Sequence, residues 1–168
     1  MVRYDDFTPG ALDGYDLVIV GPGPGDPRDG EHPKIKAFRT AVDGLLATGQ
    51  PFLSVCLGHQ VLCSRLGIPL AYKDIVFQGT QSRVSLEGRE ENVGFYNTFV
   101  GRVGSSSVPE GVTVTADPGS GDIHMVTGPH YRGVQFHAES ILTEHGYELI
   151  HDLVLDLLRD AAPADPRA

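Results

Sequence analysis

The chain has 168 residues, enough for one domain with a sizeable core, and its 40% hydrophobic and 21% charged residues are those of an ordinary soluble protein. A formal net charge of −9 and a pI near 5.1 argue against nucleic acid and anionic membrane surfaces as partners, since both need a basic face. The 21 glycines and 12 prolines collect in a few loops, which speaks for shaped turns and against disorder.

Residues 15–20 (YDLVIV) are a short apolar run ending at Gly-Pro and are expected to be a buried strand. A loop follows over residues 21–29 (GPGPGDPRD). The spacing of Ile35, Phe38, Val42, Leu45 and Leu46 predicts a helix over Pro33–Thr48, closed by Gly49. Residues 51–55 (PFLSV) read as a second buried strand, and 58–66 as a helix stopped by Gly67. This strand–helix–strand–helix order implies parallel strands with crossover helices, hence an α/β sandwich. Residues 81–86 and 112–116 alternate like strands, with a polar segment (87–91) and a serine loop (105–107) between them. Residues 123–126 and 133–136 are expected to be further strands. Over residues 147–159, Leu149, Ile150, Leu153, Val154, Leu157 and Leu158 fall on one helical face. The Pro/Ala-rich tail 161–168 is expected to be disordered, leaving one domain over residues 1–160.

The two cysteines, Cys56 and Cys63, stand about 10 Å apart along a helix axis, too far for a disulfide. A reducing, cytoplasmic compartment is the expectation. No stretch approaches the roughly 20 apolar residues of a membrane span, and no apolar signal core opens the chain.

Three segments could carry chemistry. In SVCLGHQ, Ser54 to Gln60, a strand ends, a cysteine sits at the turn, and a glycine-led helix follows. This is a nucleophile elbow with sulfur in place of oxygen. The helix N-terminus is expected to lower the thiol pKa, the Leu57 N–H to face a developing oxyanion, and Gly58 to let the helix pack close. A buried structural cysteine is the plain alternative. In GVQFHAES a strand is expected to end in His137, so that Glu139, two residues on, points to the same side and can orient the imidazole. A surface His–Glu pair is common, but a strand-end cysteine in the same α/β chain suggests a thiol triad. The loop GPGPGDP has neither G-x-G-x-x-G spacing nor Gly-Lys-Ser/Thr. Pro22 and Pro24 also lack the N–H groups a phosphate needs, so an oxyanion hole suits the loop better. His32, His59, His124, His130, His145 and His151 show no metal-ligand spacing and are expected to be structural or solvated. No metal or cofactor is expected. Cys63 reads as a helix core residue.

With these pieces in this order, the chain resembles the class I (triad-type) glutamine amidotransferases over about residues 15–159. Within that family it is similar to the amidotransferase part of anthranilate-synthase-type enzymes. GFYNTF and GPHYRGVQFHAESILTEHG look closest to the phenazine-pathway version, which makes aminodeoxyisochorismate from chorismate. The resemblance implies a three-layer α/β sandwich with a mainly parallel central sheet. It implies Cys56 as nucleophile, His137 as base and Glu139 as its orienting partner. Leu57 and Gly23 would form the oxyanion hole, Gly25 its wall, and Gln60, Thr98 and Phe99 would contact L-glutamine. Ammonia would pass to a chorismate-utilising synthase, in cis or in trans. Three departures stand out: Ser54 replaces a usual glycine, Ala138 replaces a usual proline, and no Asn-x-x-Asp-Ser-Phe-like run opens the chain. Residues 1–6 instead read like the family's second strand, so the domain looks N-terminally shortened. The absent central strand would expose an apolar sheet edge. A non-catalytic regulatory partner of such a synthase, a γ-glutamyl hydrolase on the same fold and a nucleotide-binding α/β domain are the alternatives.

Overall fold

The computed structural model describes residues 1–86, 88–103 and 108–161. Its elements are β1 (Val18–Val20), α1 (Pro33–Thr48), β2 (Phe52–Val55), α2 (Leu57–Arg65), β3 (Leu70–Tyr72) and β4 (Thr80–Leu86). β5 (Arg89–Phe95), β6 (Phe99–Gly101), β7 (Thr113–Ala116), β8 (Ile123–Gly128), β9 (Tyr131–Val134) and α3 (Gly146–Ala161) follow.

The main sheet has the order β1-β2-β9-β8-β7. β1, β2 and β9 are parallel, and β8 and β7 complete the sheet as an antiparallel meander. β2 is central and buried on both faces, which is why PFLSV reads as an unbroken apolar run. Its residues alternate between two cores. Phe52 packs with Val42, Leu45, Val61 and Leu62 from α1 and α2. Leu53 and Val55 pack with Phe136 and with Leu149, Leu153 and Leu157 of α3. The result is the expected three-layer α/β sandwich. Each fully buried Leu or Phe contributes about 1.5–3 kcal/mol of transfer free energy.

α1 keeps its predicted bounds because both ends are specified. Pro33 occupies the first turn, the His32 Nδ1 accepts the Lys34 N–H at 3.2 Å, and Gly49 closes the helix at φ 73 with its N–H on the Leu45 carbonyl.

Several expectations need correction. The first strand covers only Val18–Val20 and not residues 15–20, whereas the exposed apolar edge is as expected: β1 has a described strand on one side alone, and Ile19 is 56% exposed. Residues 1–6 make a turn, with the Asp6 N–H on the Arg3 carbonyl at 3.1 Å, and no strand. Residues 89–91 of the polar segment belong to β5, which pairs with β4 as an antiparallel ribbon. A two-stranded ribbon buries only part of its surface, so its sequence reads as polar. β3 and β6, three residues each, form a second ribbon too short to leave a periodic signal. The last strand ends at Val134, before Phe136. Residue 87, the serine loop 105–107 and the tail 162–168 lie outside the described residues. Among the described residues no helix is long and apolar enough to cross a membrane.

One buried ionic cluster ties the β3–β6 ribbon to the sheet. Asp122, just before β8, accepts from Lys73 Nζ at 2.6 Å and from Arg102 Nε at 2.8 Å. Burial alone would push the Asp122 carboxyl up. The hydrogen bonds and charges of Lys73 and Arg102 outweigh burial and hold it below the usual carboxylate range. Its contribution to stability is therefore present above the ordinary carboxylate pKa and is lost as pH falls below about 4. Urea unfolding between about pH 6 and pH 3 should show a smaller acid-induced loss in Asp122→Asn than in the parent. Lys73→Met should cost about 2 kcal/mol or more at neutral pH, because Asp122 then keeps only Arg102.

Candidate functional site

The site begins where β2 gives way to α2. Cys56 has φ 50 and ψ −101, and it is the only non-glycine residue with positive φ among those described. Such a backbone costs on the order of 1–3 kcal/mol and persists only where surrounding structure enforces it. The enforcement is visible on both sides. The Cys56 N–H donates to the Val134 carbonyl at 2.9 Å, extending the β2–β9 pairing past Val55, and the Cys56 carbonyl accepts the Gln60 N–H at 3.0 Å. Gly58 is required by the close approach of α2 to β1: a Cβ there would stand 2.2 Å from the Val20 carbonyl oxygen. Ser54, where the resemblance usually has glycine, is completely buried, and its hydroxyl makes no hydrogen bond with any described atom.

Cys56 is only 6% exposed. Burial pushes its pKa up to about 11, and the Glu139 charge adds to the rise. The Leu57 N–H and the Gln135 side-chain amide pull in the other direction but do not prevail. The expectation of a lowered thiol pKa is thus corrected: the helix N-terminus contributes as foreseen, and desolvation outweighs it. The resting group is a neutral thiol.

The imidazole comes from the segment after β9, beside β2. His137 Nδ1 lies 2.8 Å from Glu139 Oε1. The side chain of His137 is mostly buried, whereas that of Glu139 is 59% exposed. The pair does not arise from an extended strand as expected. The chain turns after His137, with the Ser140 N–H on the His137 carbonyl at 3.1 Å, and the turn brings Glu139 back to the ring. His137 Nε2 is buried and makes no hydrogen bond with any described atom, Cys56 Sγ included. Thiol–base contacts commonly tighten only when substrate is present. The Tyr96 ring stands edge-on to the imidazole, centroids 5.2 Å apart.

The glycine–proline loop closes the other side. Gly23 lies against Leu57, where a Cβ would stand 3.7 Å from Leu57 Cδ2, so the two oxyanion-hole candidates are neighbours. Gly25 lies against Ile35 of α1. Asp26 holds Arg28 through two side-chain bonds of 3.0 and 2.8 Å, and the Arg28 guanidinium covers the Phe99 ring at 4.5 Å. Gln60 is buried and turned inward: its amide NH2 donates to the Phe99 carbonyl at 2.7 Å and to Gln135 Oε1 at 3.1 Å. Asn97 Nδ2 donates to the same carbonyl at 2.8 Å, and the Thr98 carbonyl accepts the Lys73 N–H at 2.9 Å. Residues 97–99 are therefore fixed from several directions.

His59 is fully buried, its pKa pushed down to about 3 by burial, with Cys63 Sγ 3.5 Å from its Nε2. Both are core residues, as expected. The described residues contain no grouping of three or more His, Cys, Asp or Glu side chains able to hold a metal. Sequence reasoning missed Gln135, Tyr96 and Thr143, which all touch the thiol or the His137 segment. Gln135 could have been found from its two-residue spacing to His137.

The family model for class I glutamine amidotransferases matches residues 1–157. A phenazine-specific anthranilate synthase of Pseudomonas fluorescens is 47% identical over 148 residues, covering 86% of this chain. The chain spans only 23% of that relative's length. Anthranilate synthase component II of Haloarcula marismortui is 31% identical, with 89% of this chain and 85% of the relative covered. A crystal structure of a glutamine amidotransferase from Thermotoga maritima shares the fold, with TM-score 0.62 at 20% identity over 93% of this chain and 69% of that one.

The buried thiol has a direct test. Alkylation of Cys56 by iodoacetamide in the unliganded protein, followed by mass spectrometry, should rise with pH through about 11. At pH 8 it should run about two orders of magnitude slower than a free cysteine thiol. An inflection at or below about pH 8 would show that the helix N-terminus outweighs burial.

Proposed function

This chain belongs to the class I glutamine amidotransferase family, and on that footing we propose that it hydrolyses L-glutamine through Cys56, His137 and Glu139 and hands the ammonia to a chorismate-utilising synthase. The observation that carries the reading is the elbow itself. A cysteine held at φ 50 on a strand end, with the Leu57 N–H at its sulfur, sits beside a strand whose continuation carries a His–Glu pair at 2.8 Å.

The chemistry follows from these groups. With glutamine bound, His137 Nε2 takes the thiol proton as Sγ attacks the carboxamide carbon. The Leu57 and Gly23 N–H groups stabilise the oxyanion. The imidazolium, steadied by Glu139, returns the proton to the departing nitrogen, so ammonia leaves and a γ-glutamyl thioester remains. His137 then takes a proton from water, which attacks the thioester. Glutamate leaves and the proton returns to Sγ. A resting thiol pKa near 11 makes the imidazole indispensable, because almost no thiolate exists at neutral pH without it. Thr98, Phe99 and Gln60 form the wall against which the amino-acid end of glutamine rests, and Gly25 shapes the wall of the oxyanion hole. Gln60 acts through its hold on the Phe99 carbonyl.

A synthase that uses chorismate is the acceptor favoured by the phenazine-specific and component II relatives. A net charge of −9 leaves nucleic acid and anionic membranes outside the reading.

Glutamate release from L-glutamine tests the proposal, measured for the chain alone and with a chorismate-utilising synthase added. Cys56→Ser should lower turnover by at least about 10³-fold while the far-UV spectrum stays unchanged. His137→Ala should cost a similar factor, and Glu139→Ala only about 10–100-fold, because an exposed orienting carboxylate is partly replaced by water. Turnover by Cys56→Ser near the parent level would sink the triad. Synthase binding without glutamine turnover would instead make the chain a non-catalytic partner.

A further inference from the structure

The His137 segment is attached to β5 in an unusual way. Gly94 and His137 form an isolated antiparallel bridge. One bond is ordinary: the His137 N–H donates to the Gly94 carbonyl at 2.8 Å. The return bond is not made directly. The Gly94 N–H donates to Thr143 Oγ1 at 3.0 Å, and that hydroxyl donates to the His137 carbonyl at 2.6 Å. A threonine side chain from six residues downstream is thus inserted into a backbone bridge.

The insertion uses both capacities of the hydroxyl, as acceptor and as donor, and Thr143 is buried. The loop between His137 and Thr143 closes tightly over Gly94, where a Cβ would stand 2.8 Å from Leu142 Cβ and 3.1 Å from Ser140 Oγ. The Thr143 N–H donates to the Ser140 carbonyl at 2.9 Å, so the hydroxyl is delivered by a fixed turn.

We propose that Thr143 is a positioning residue for the base: its hydroxyl, between the Gly94 N–H and the His137 carbonyl, sets the peptide plane from which the imidazole is aimed. A direct bond would draw the His137 carbonyl toward Gly94 by the width of one hydroxyl and tilt the Cα–Cβ bond with it. A displacement of about 1 Å at a reacting group is enough to cost orders of magnitude in rate. The inference rests on the glutaminase reading for its kinetic consequence, but not for its geometry.

The test compares the parent with Thr143→Val, which keeps the shape and removes the hydroxyl, and with Thr143→Ser, which keeps the hydroxyl. For glutamine hydrolysis, Thr143→Val should lower kcat by about tenfold or more with KM changed less than about threefold, and Thr143→Ser should recover most of the loss. The second readout needs no turnover. Long-range ¹H–¹⁵N spectra of imidazole-labelled protein should show His137 as one tautomer, protonated at Nδ1 toward Glu139, in the parent and in Thr143→Ser. Thr143→Val should show a mixture. Should Thr143→Val fail to fold, Thr143→Ala carries the same comparison. A valine variant with kcat within twofold of the parent and an unchanged tautomer would overturn the proposal, as would a serine variant that recovers neither. A parent that releases no glutamate, alone or with a chorismate-utilising synthase, would refute the glutaminase reading, while the tautomer comparison would still decide the role of Thr143.

Discussion

The site depends on the parallel pairing of β2 with β9. That pairing places Val55 opposite Val134, and the Cys56 N–H carries it one step further onto the Val134 carbonyl. From this point the chains diverge. One turns sharply at φ 50 into α2, and the other continues through Gln135 to His137. A one-residue slip would turn every side chain of β2 to the opposite face, exchanging Phe52 with Leu53 between the two cores. The hydrophobic register that builds the sandwich is thereby the same constraint that sets Cys56 and the His137 segment at one end of the β2–β9 pair.

Around this pairing the two polar partners are held by unlike means. The thiol is fixed by backbone strain and burial, which also raise its pKa. The imidazole is fixed through hydrogen bonds, from Glu139 on the ring and from Gly94 and Thr143 on the main chain. The thiol alone is a weak nucleophile at neutral pH. A thiolate charge would be costly in so desolvated a pocket, in keeping with a neutral resting thiol.

The sequence revealed most of this arrangement because the relevant signals are local. A glycine two residues after a strand-end cysteine is dictated by the Val20 carbonyl, and the capped α1 helix is specified within its own residues. What escaped detection depends on distant partners. β3 and β6 are strands only because they pair with each other, and β5 hides its apolar residues behind REE. The His137–Glu139 contact was anticipated for the wrong geometric reason, since a turn and not an extended strand creates it. The rise in the thiol pKa was also illegible. The helix N-terminus can be read from a motif, whereas desolvation is the sum of everything packed around Cys56. Thr143 looks in the sequence like any threonine in a polar loop.

The burial of Cys56 has a chemical consequence beyond turnover. Peroxide and other two-electron oxidants attack thiolates in exposed positions. Cys56, 6% exposed and with a thiol protonated up to about pH 11, offers them neither condition. Cys63, still more deeply buried, is equally inert and cannot serve as a resolving thiol. A buried, protonated sulfur is in this respect a poor target for such oxidants in the resting protein.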